Sequence, residues 1–415
     1  MFETKLRTVP ITTQMVKSAY RKVKSNKGSA GVDKESLEDF QRDFSKNLYK
    51  IWNRLSSGSY FPQPVREVVI PKADGGRRKL GIPTVSDRIA QEVIKAYLEP
   101  RLEAEFHSNS YGYRPLKSAH DALSAVRINV RQYAWVLDMD IKSFFDEVDH
   151  ELLMKGLGVH VEEGWVKMYI ERWLESPSLS STGILTEKQG KGTPQGGVIS
   201  PLLANLYLHY TLDKWLEKTH PEVAFVRYAD DVIVHCHSQA KAEEVLDSIR
   251  LRLGDCKLSL NEKKTKLVYC KDYKRQKKDY PKKFGFLGFT FKPRTMMSKD
   301  KKLFLGYDCA ISQGSQKRII EGWKRHGFHR NSTLTIQEIA RQINPQMRGL
   351  IRYYGKFCTY TLKRLVEHFH FRLVRWVLKK YKRFKGSFKK AYWWLRSIKR
   401  SYPTLFYHWT LFRYL

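Results

Sequence analysis

Cysteine is scarce in this chain: five in 415 residues, at positions 236, 256, 270, 309 and 358, with no CxxC spacing among them. That excludes a disulfide framework and a zinc site built on paired cysteines, and it points to a reducing cytosol. No apolar run approaches the roughly 20 residues needed to cross a bilayer, and the opening MFETKLRTVPITTQ lacks the apolar core of a secretory signal. A cytoplasmic location and no membrane partner are the expectations. There is no repeat of fixed period and no long low-complexity tract. Acids are also in short supply, with 42 Asp or Glu against 76 Lys or Arg.

The resulting net charge of +34 suits a polyanionic partner, above all nucleic acid. It is unevenly spread: residues 301–415 hold 26 Lys or Arg against 4 Asp or Glu, so the last quarter of the chain carries most of the excess. With 42% hydrophobic residues the chain has enough apolar matter for two or three domains. Residues 1–60 read as helical and basic, with a turn at Gly28 to Asp33. VREVVIPKADGGRRKLGIPT (65–84) reads as a hairpin bent at Asp74-Gly75-Gly76 with cations around the bend. SDRIAQEVIKAYLEPRLEAEF (86–106) reads as a packing helix capped by Ser86 and interrupted near Pro100. Composition shifts beyond Ser298, where several helices are expected. From Leu362 to Phe384 an apolar stripe (Leu362, Val366, Phe369, Leu373, Val377, Phe384) leaves Arg364, Arg372, Arg375, Lys379 and Lys382 on the other side; such a face could suit an anionic membrane surface, but the neighbouring aromatics and cations of RGLIRYYGKF, YKRFKGSFKK and AYWWLRSIKR favour RNA or DNA.

Where acids do gather, they gather oddly. FVRYADDVIVH (225–235) sets Asp230 and Asp231 side by side between two β-type runs, at a hairpin tip. Two adjacent carboxylates repel unless a cation shares the site, and hard divalent ions choose carboxylate oxygens. A solvated turn is the alternative on this stretch alone. In YAWVLDMDIKSFFDEVDH (133–150) a strand runs into Asp138, Asp140, Asp146 and Asp149. KGTPQGGVISPLLANLYL (191–208) joins a flexible glycine turn to a helix, with Ser200 as its expected N-cap. One acid at a strand end plus a pair at a neighbouring hairpin tip would hold two divalent ions for in-line nucleotidyl transfer.

The blocks IPKADGGRRKLGIPTVSDR, SYGYRP, DMDIKSFFDEVDH, TPQGGVISPLLANLYL, RYADD, LSLNEKKTK and FGFLGFTF, in this order, resemble the group II intron reverse transcriptases, also called maturases. QINPQMRGLIRYYG and the helices after it resemble that family's thumb, domain X, more loosely. The resemblance implies an α+β right-hand polymerase, with an N-terminal extension over 1–60, fingers and palm over 61–298 and a helical thumb over 299–415. It implies Asp140, Asp230 and Asp231 as catalytic metal ligands for two Mg2+ ions (Mn2+ as substitute), with the carbonyl of Ile141 assisting. Lys72 and Arg78 match residues that grip the triphosphate, Phe145 the ring that crowds the sugar 2′ position, Gln195 the loop along template and nucleotide, and Lys264 the general acid. Asp138, Asp146 and Asp149 are then structural or solvent-facing. The implied partners are intron RNA, an RNA template with its DNA primer, deoxynucleoside triphosphates and target DNA, with a homodimer also allowed, in bacterial cytoplasm near the nucleoid. No HNH endonuclease with paired cysteines is seen, so second-strand cleavage is not expected. The competing readings are a free-standing reverse transcriptase used in defence or CRISPR spacer acquisition, and a splicing cofactor that has lost polymerisation.

Overall fold

A computed structural model describes residues 9–71, 75–277 and 279–412. The chain forms two compact units, one from Met1–Ala125 with Leu137–Lys266 and the other from Val126–Val136 with Leu267–Leu415.

The first unit begins with three helices, α1 (Thr13–Ser25), α2 (Leu37–Arg42) and α3 (Phe44–Ser56). Thr12 caps α1 by accepting from the Met15 amide, and Ser36 with Asp39 forms a reciprocal capping box on α2. The hairpin expected over 65–84 is present: β1 (Val65–Pro71) pairs antiparallel with β2 (Arg77–Ile82). Lys72, Ala73 and Asp74 at its bend lie outside the described residues. The next helix, α4 (Val85–Glu105), is the centre of this unit, with Ile89, Ala90, Ile94, Leu98 and Leu102 wholly buried. Its cap is Thr84, not Ser86. The Thr84 hydroxyl accepts from the Asp87 amide, which puts Ser86 inside the first turn. Pro100 sits within the helix without ending it.

Helix α5 (Ala119–Gln132) leads into β3 (Trp135–Asp140), followed by α6 (Phe144–Glu147), α7 (His150–Gly158) and α8 (Gly164–Glu175). Two short strands, β4 (Ser178–Leu179) and β5 (Leu185–Thr186), extend the β1–β2 sheet. Helix α9 (Ser200–Leu208) starts on Ser200, so Ile199 rather than Ser200 occupies the cap position. It passes through a π-helical turn, His209–Asp213, into α10 (Lys214–Thr219). Then come β6 (Ala224–Tyr228), β7 (Asp231–Cys236) and α11 (Gln239–Asp255). β6 and β7 pair antiparallel, and β3 is the other neighbour of β7. Beyond α11 an isolated bridge joins Leu260 to Ile141.

The second unit takes up the chain with β8 (Lys266–Tyr269). Next, β9 (Phe284–Phe286), β10 (Phe289–Met297) and β11 (Leu303–Ile311) form an antiparallel three-stranded sheet. The stretch FGFLGFTF is β9 and the start of β10, paired antiparallel. Ser298 stands in the turn between β10 and β11, so the composition change there coincides with a hairpin and not with a linker. Helices α12 (Gln313–His326), α13 (Ile336–Tyr354), α14 (Thr359–Lys380), α15 (Phe388–Ser401) and α16 (Tyr407–Leu411) complete the unit. α14 is its core helix: Leu362, Val366, Phe369, Leu373 and Val377 are at most 1% exposed. No helix among the described residues is long and apolar enough to cross a membrane.

Candidate active site

Tyr228 pairs with Asp231, which leaves Ala229 and Asp230 as a two-residue turn. Ala229 adopts φ 57°, a left-handed conformation that costs an L-residue about 1–2 kcal/mol. A buried arginine braces it. Arg227, with no exposed surface, donates Nε–H and Nη2–H to the two carboxylate oxygens of Asp213 at 2.7 and 2.5 Å. Its Nη1 donates to Asn205 Oδ1 at 2.9 Å and to the Ala229 carbonyl at 3.2 Å. Asn205 donates in turn to the Gly112 carbonyl at 2.8 Å. Gly112 approaches the turn so closely that a Cβ there would lie 2.4 Å from the Ala229 nitrogen. The π-helical turn ends on Asp213, a placement that regular α-helix would shift. Replacing Arg227 with methionine leaves a buried carboxylate unpaired and is expected to cost about 3–5 kcal/mol. Urea denaturation checks it, and an unchanged midpoint would show that the pair does not brace the turn.

Asp140 ends β3. Its Oδ2 accepts from Asn261 Nδ2 at 2.8 Å and faces Lys264 Nζ at 3.4 Å. The segment 259–264 is laid against this strand end: the Asn261 amide donates to the Asp140 carbonyl, and the Lys142 amide to the Ser259 carbonyl. Electrostatics tie the three acids together. Burial foremost, then the Asp230 and Asp140 charges, pushes the Asp231 carboxyl up to about 6, although Asp231 keeps an exposed edge. Burial and then Asp140 also raise Asp230, against its own backbone hydrogen bond and the cations Arg78 and Lys264. Such a donor set, hard oxygens that destabilise one another, suits a divalent cation. Among the described residues no three His, Cys, Asp or Glu side chains are gathered closely enough to hold an ion by themselves. That is compatible with magnesium, which is usually held by one or two carboxylates and completed by water and substrate phosphates.

The other candidates surround these acids. Arg78 is exposed on β2, and its charge reaches Asp230 and Asp231; Lys72 lies outside the described residues. The TPQGG loop is pinned at several points. The Gly81 amide donates to the Gln195 carbonyl at 2.9 Å, the Thr193 amide to the Phe145 carbonyl at 2.8 Å, and the Val198 amide to Gln91 Oε1 at 2.8 Å. Gly196 sits at φ 124°, where a Cβ would meet the Gly81 carbonyl at 2.6 Å. The half-buried Phe145 ring stands edge-on to Phe144 at 5.3 Å. Ile141 is buried and bridges to Leu260. Asp149 caps α7 and pairs with Lys257 at 2.9 Å, a structural role. Sequence reasoning does not single out Arg227, Asp213, Asn205 or Asn261, nor Tyr113, whose hydroxyl pKa is raised by burial and then by Asp230.

In the second unit Arg364, Arg375 and Lys379 are exposed on α14, and Lys382 is exposed just beyond it. Arg372 departs from the expectation of an outward basic face: it is only 8% exposed. The reason is that α14 is covered on more than one side, so His370, Arg372, Val374 and Trp376 are buried along with the apolar stripe.

The reverse transcriptase (RNA-dependent DNA polymerase) family profile matches residues 70–291, and the group II intron maturase-specific domain matches residues 316–393. Protein YkfC of Escherichia coli K12 is 33% identical over 287 residues, covering 60% of this chain and 75% of that protein. The group II intron-encoded protein LtrA of Lactococcus lactis subsp. cremoris is 38% identical over 200 residues, 48% of this chain and 33% of its own length. An uncharacterized 91 kDa protein in the cob intron of Schizosaccharomyces pombe is 35% identical over 210 residues, 49% of this chain and 25% of its own. The match therefore spans most of YkfC but a third or less of the two intron proteins. By the first profile, which takes in more than half of the sequence, and the maturase domain behind it, the chain belongs to the reverse transcriptase family, in its group II intron reverse transcriptase and maturase branch, with the α+β right-hand polymerase fold of that family.

Proposed function

We propose that this chain is an RNA-directed DNA polymerase that copies intron RNA into cDNA and holds the same RNA to assist its splicing and mobility. The observation that carries the reading is the electrostatic coupling of Asp140, Asp230 and Asp231 on a braced turn, with Arg78 within range of the pair. Those three carboxylates and the Ile141 carbonyl would hold two Mg2+ ions, which stabilise charge on the entering and leaving oxygens. The chain's own residues do the rest. Arg78, with Lys72, grips the triphosphate; Arg227 and Asn205 hold the turn that presents Asp230; Gln195 lies on the loop that follows template and nucleotide. Phe145 crowds the 2′ position of the sugar and so favours deoxynucleotides.

Lys264, whose Nζ lies 3.4 Å from Asp140 Oδ2, would give a proton to the departing pyrophosphate. Residues 61–298 then serve as fingers and palm and residues 299–415 as thumb, the passage between them running through the β10–β11 hairpin. Template, primer, deoxynucleoside triphosphates and target DNA are the substrates and partners on this reading. Extension of a DNA primer on an RNA template, with deoxynucleotides and magnesium, tests it. Incorporation that requires all four components supports the reading, and RNA binding without any extension favours a splicing cofactor that has lost polymerisation.

A further inference from the structure

The core helix of the second unit, α14, buries an arginine among its apolar residues. Arg372 is 8% exposed, its Nε has no acceptor, and it enters no ion pair among the described residues. Burying a guanidinium without a partner is costly, and its neighbours along the helix, Leu373, Val374 and Trp376, are apolar and buried, so an anion that reached it would offset that cost.

The geometry around it indicates what that group is. Arg372, Arg375 and Lys379 fall at i, i+3 and i+7 on α14, one face of a helix. Along that helix runs the segment that follows α12. Phe328, in the 3-10 turn Phe328–Arg330, is 1% exposed and its ring lies 5.4 Å from that of Phe369, one turn before Arg372. Farther on, Lys380 Nζ donates to the carbonyls of Ser332 at 3.0 Å and Leu334 at 2.8 Å. Anchored at both ends, the segment brings His329 and Arg330 beside the three α14 cations. Their mutual charge is visible. After burial, Arg375 and Arg330 lower the Arg372 pKa, and Arg372, Arg330, Arg375 and Lys379 lower that of His329. The buried His329 Nδ1 also lacks a partner. No carboxylate figures among these charges. Four cations and an imidazole converge, and no carboxylate among the described residues pairs with them.

We propose that Arg372, Arg330, Arg375, Lys379 and His329 form a socket for a phosphate group of an RNA backbone. The planar guanidinium of Arg372, held from behind by the core, supplies a fixed donor fork, while the exposed cations close over the other oxygens. This rests on the RNA-binding reading above but is more specific than a diffuse basic face, since it makes one buried residue the anchor and recruits two residues from outside α14.

The test uses the full chain and the exposed pair, Arg330→Gln with Arg375→Gln, whose loss spares the core, alongside Arg372→Gln and Arg372→Lys. Binding to a short single-stranded RNA of mixed sequence is measured across a salt titration, and thermal stability is measured with inorganic phosphate against chloride at equal ionic strength. Expected for the exposed pair is RNA binding weakened about tenfold or more, with a salt slope shallower by about one per cation removed. If inorganic phosphate raises the wild-type melting temperature and not that of the double variant, the socket takes any phosphate. If it raises neither, while the double variant still loses RNA affinity and RNA carrying scattered methylphosphonate linkages binds the wild type more weakly, the socket is specific to the backbone. Unchanged affinity and slope in the double variant, in a preparation whose wild type extends a primer, overturns the socket and leaves the polymerase reading standing. A wild type that binds RNA with the expected socket dependence yet never extends a primer does the reverse. If Arg372→Gln fails to fold, the double variant still decides.

Discussion

Replacing Asp230 with alanine is expected to reduce primer extension on an RNA template by about three orders of magnitude or more. On the proposed reading it removes a ligand of the metal ions at the reacting centre, and the charge stabilisation such ions supply is worth several kcal/mol, each 1.36 kcal/mol being about tenfold in rate. RNA binding should survive, because the cations of the second unit are untouched. The fold should survive as well, and stability should move the opposite way from activity. Burial and Asp140 raise the Asp230 pKa above the usual carboxylate value, so its ionised form is disfavoured in the folded state at neutral pH. Asp230→Asn should therefore melt at or above the wild-type temperature at pH 7.5, with the difference shrinking as pH falls and the wild-type carboxyl takes up its proton. Near-normal extension by Asp230→Ala would sink the metal assignment. A collapsed melting temperature in both variants would show the residue to be structural.

The second large effect is acid destabilisation. His209, His235 and His370 are buried, and burial depresses their pKa values to about 4, about 3 and about 4, with His408 lowered well below its ordinary value. Neither ring nitrogen of His209 or His408 has a hydrogen-bond partner among the described residues. The folded state keeps these rings neutral, whereas the unfolded chain protonates them below pH 6.5. Between about pH 6.5 and 4 the unfolded state thus binds more protons, and stability falls as pH falls. At pH 5 each of the three rings with a stated value costs roughly 2 kcal/mol relative to pH 7.5. Asp231, raised to about 6, works in the opposite direction. Its folded form gains a proton before its unfolded form does, which offsets part of the loss. Urea midpoints at pH 7.5 and pH 5 should differ clearly, with both units affected, since His209 belongs to the first and His370 and His408 to the second. A midpoint independent of pH would mean that these rings are hydrated in solution.

Much of this was readable locally. The β6–β7 hairpin shows in the two β-type runs around Asp230 and Asp231, the β1–β2 hairpin in Asp74-Gly75-Gly76, and the buried stripe of α14 in its spacing. Helix starts were less legible. Thr84 caps α4 although Ser86 is an equally good capping type, because the side chain that meets an amide is decided by where the preceding chain turns. The Arg227–Asp213–Asn205 brace left no local trace at all. Its members come from three elements, and nothing in a window of sequence reports which arginine will meet which acid. Asn261 escaped notice for the same reason, since it lies 121 residues from the Asp140 carboxylate it holds.

What the sequence determined by itself was the set of chemical groups and their order along the chain: which strands end in carboxylates, where glycine allows close approach, and where positive charge accumulates. Tertiary structure alone decided which of those groups are deprived of water. Periodicity finds one apolar face, but the burial of Arg372 arises because neighbours cover α14 on a second face. That desolvation, and not the identity of the residue, sets Arg372 apart from the exposed cations beside it and raises the carboxyl pKa values of the two adjacent aspartates.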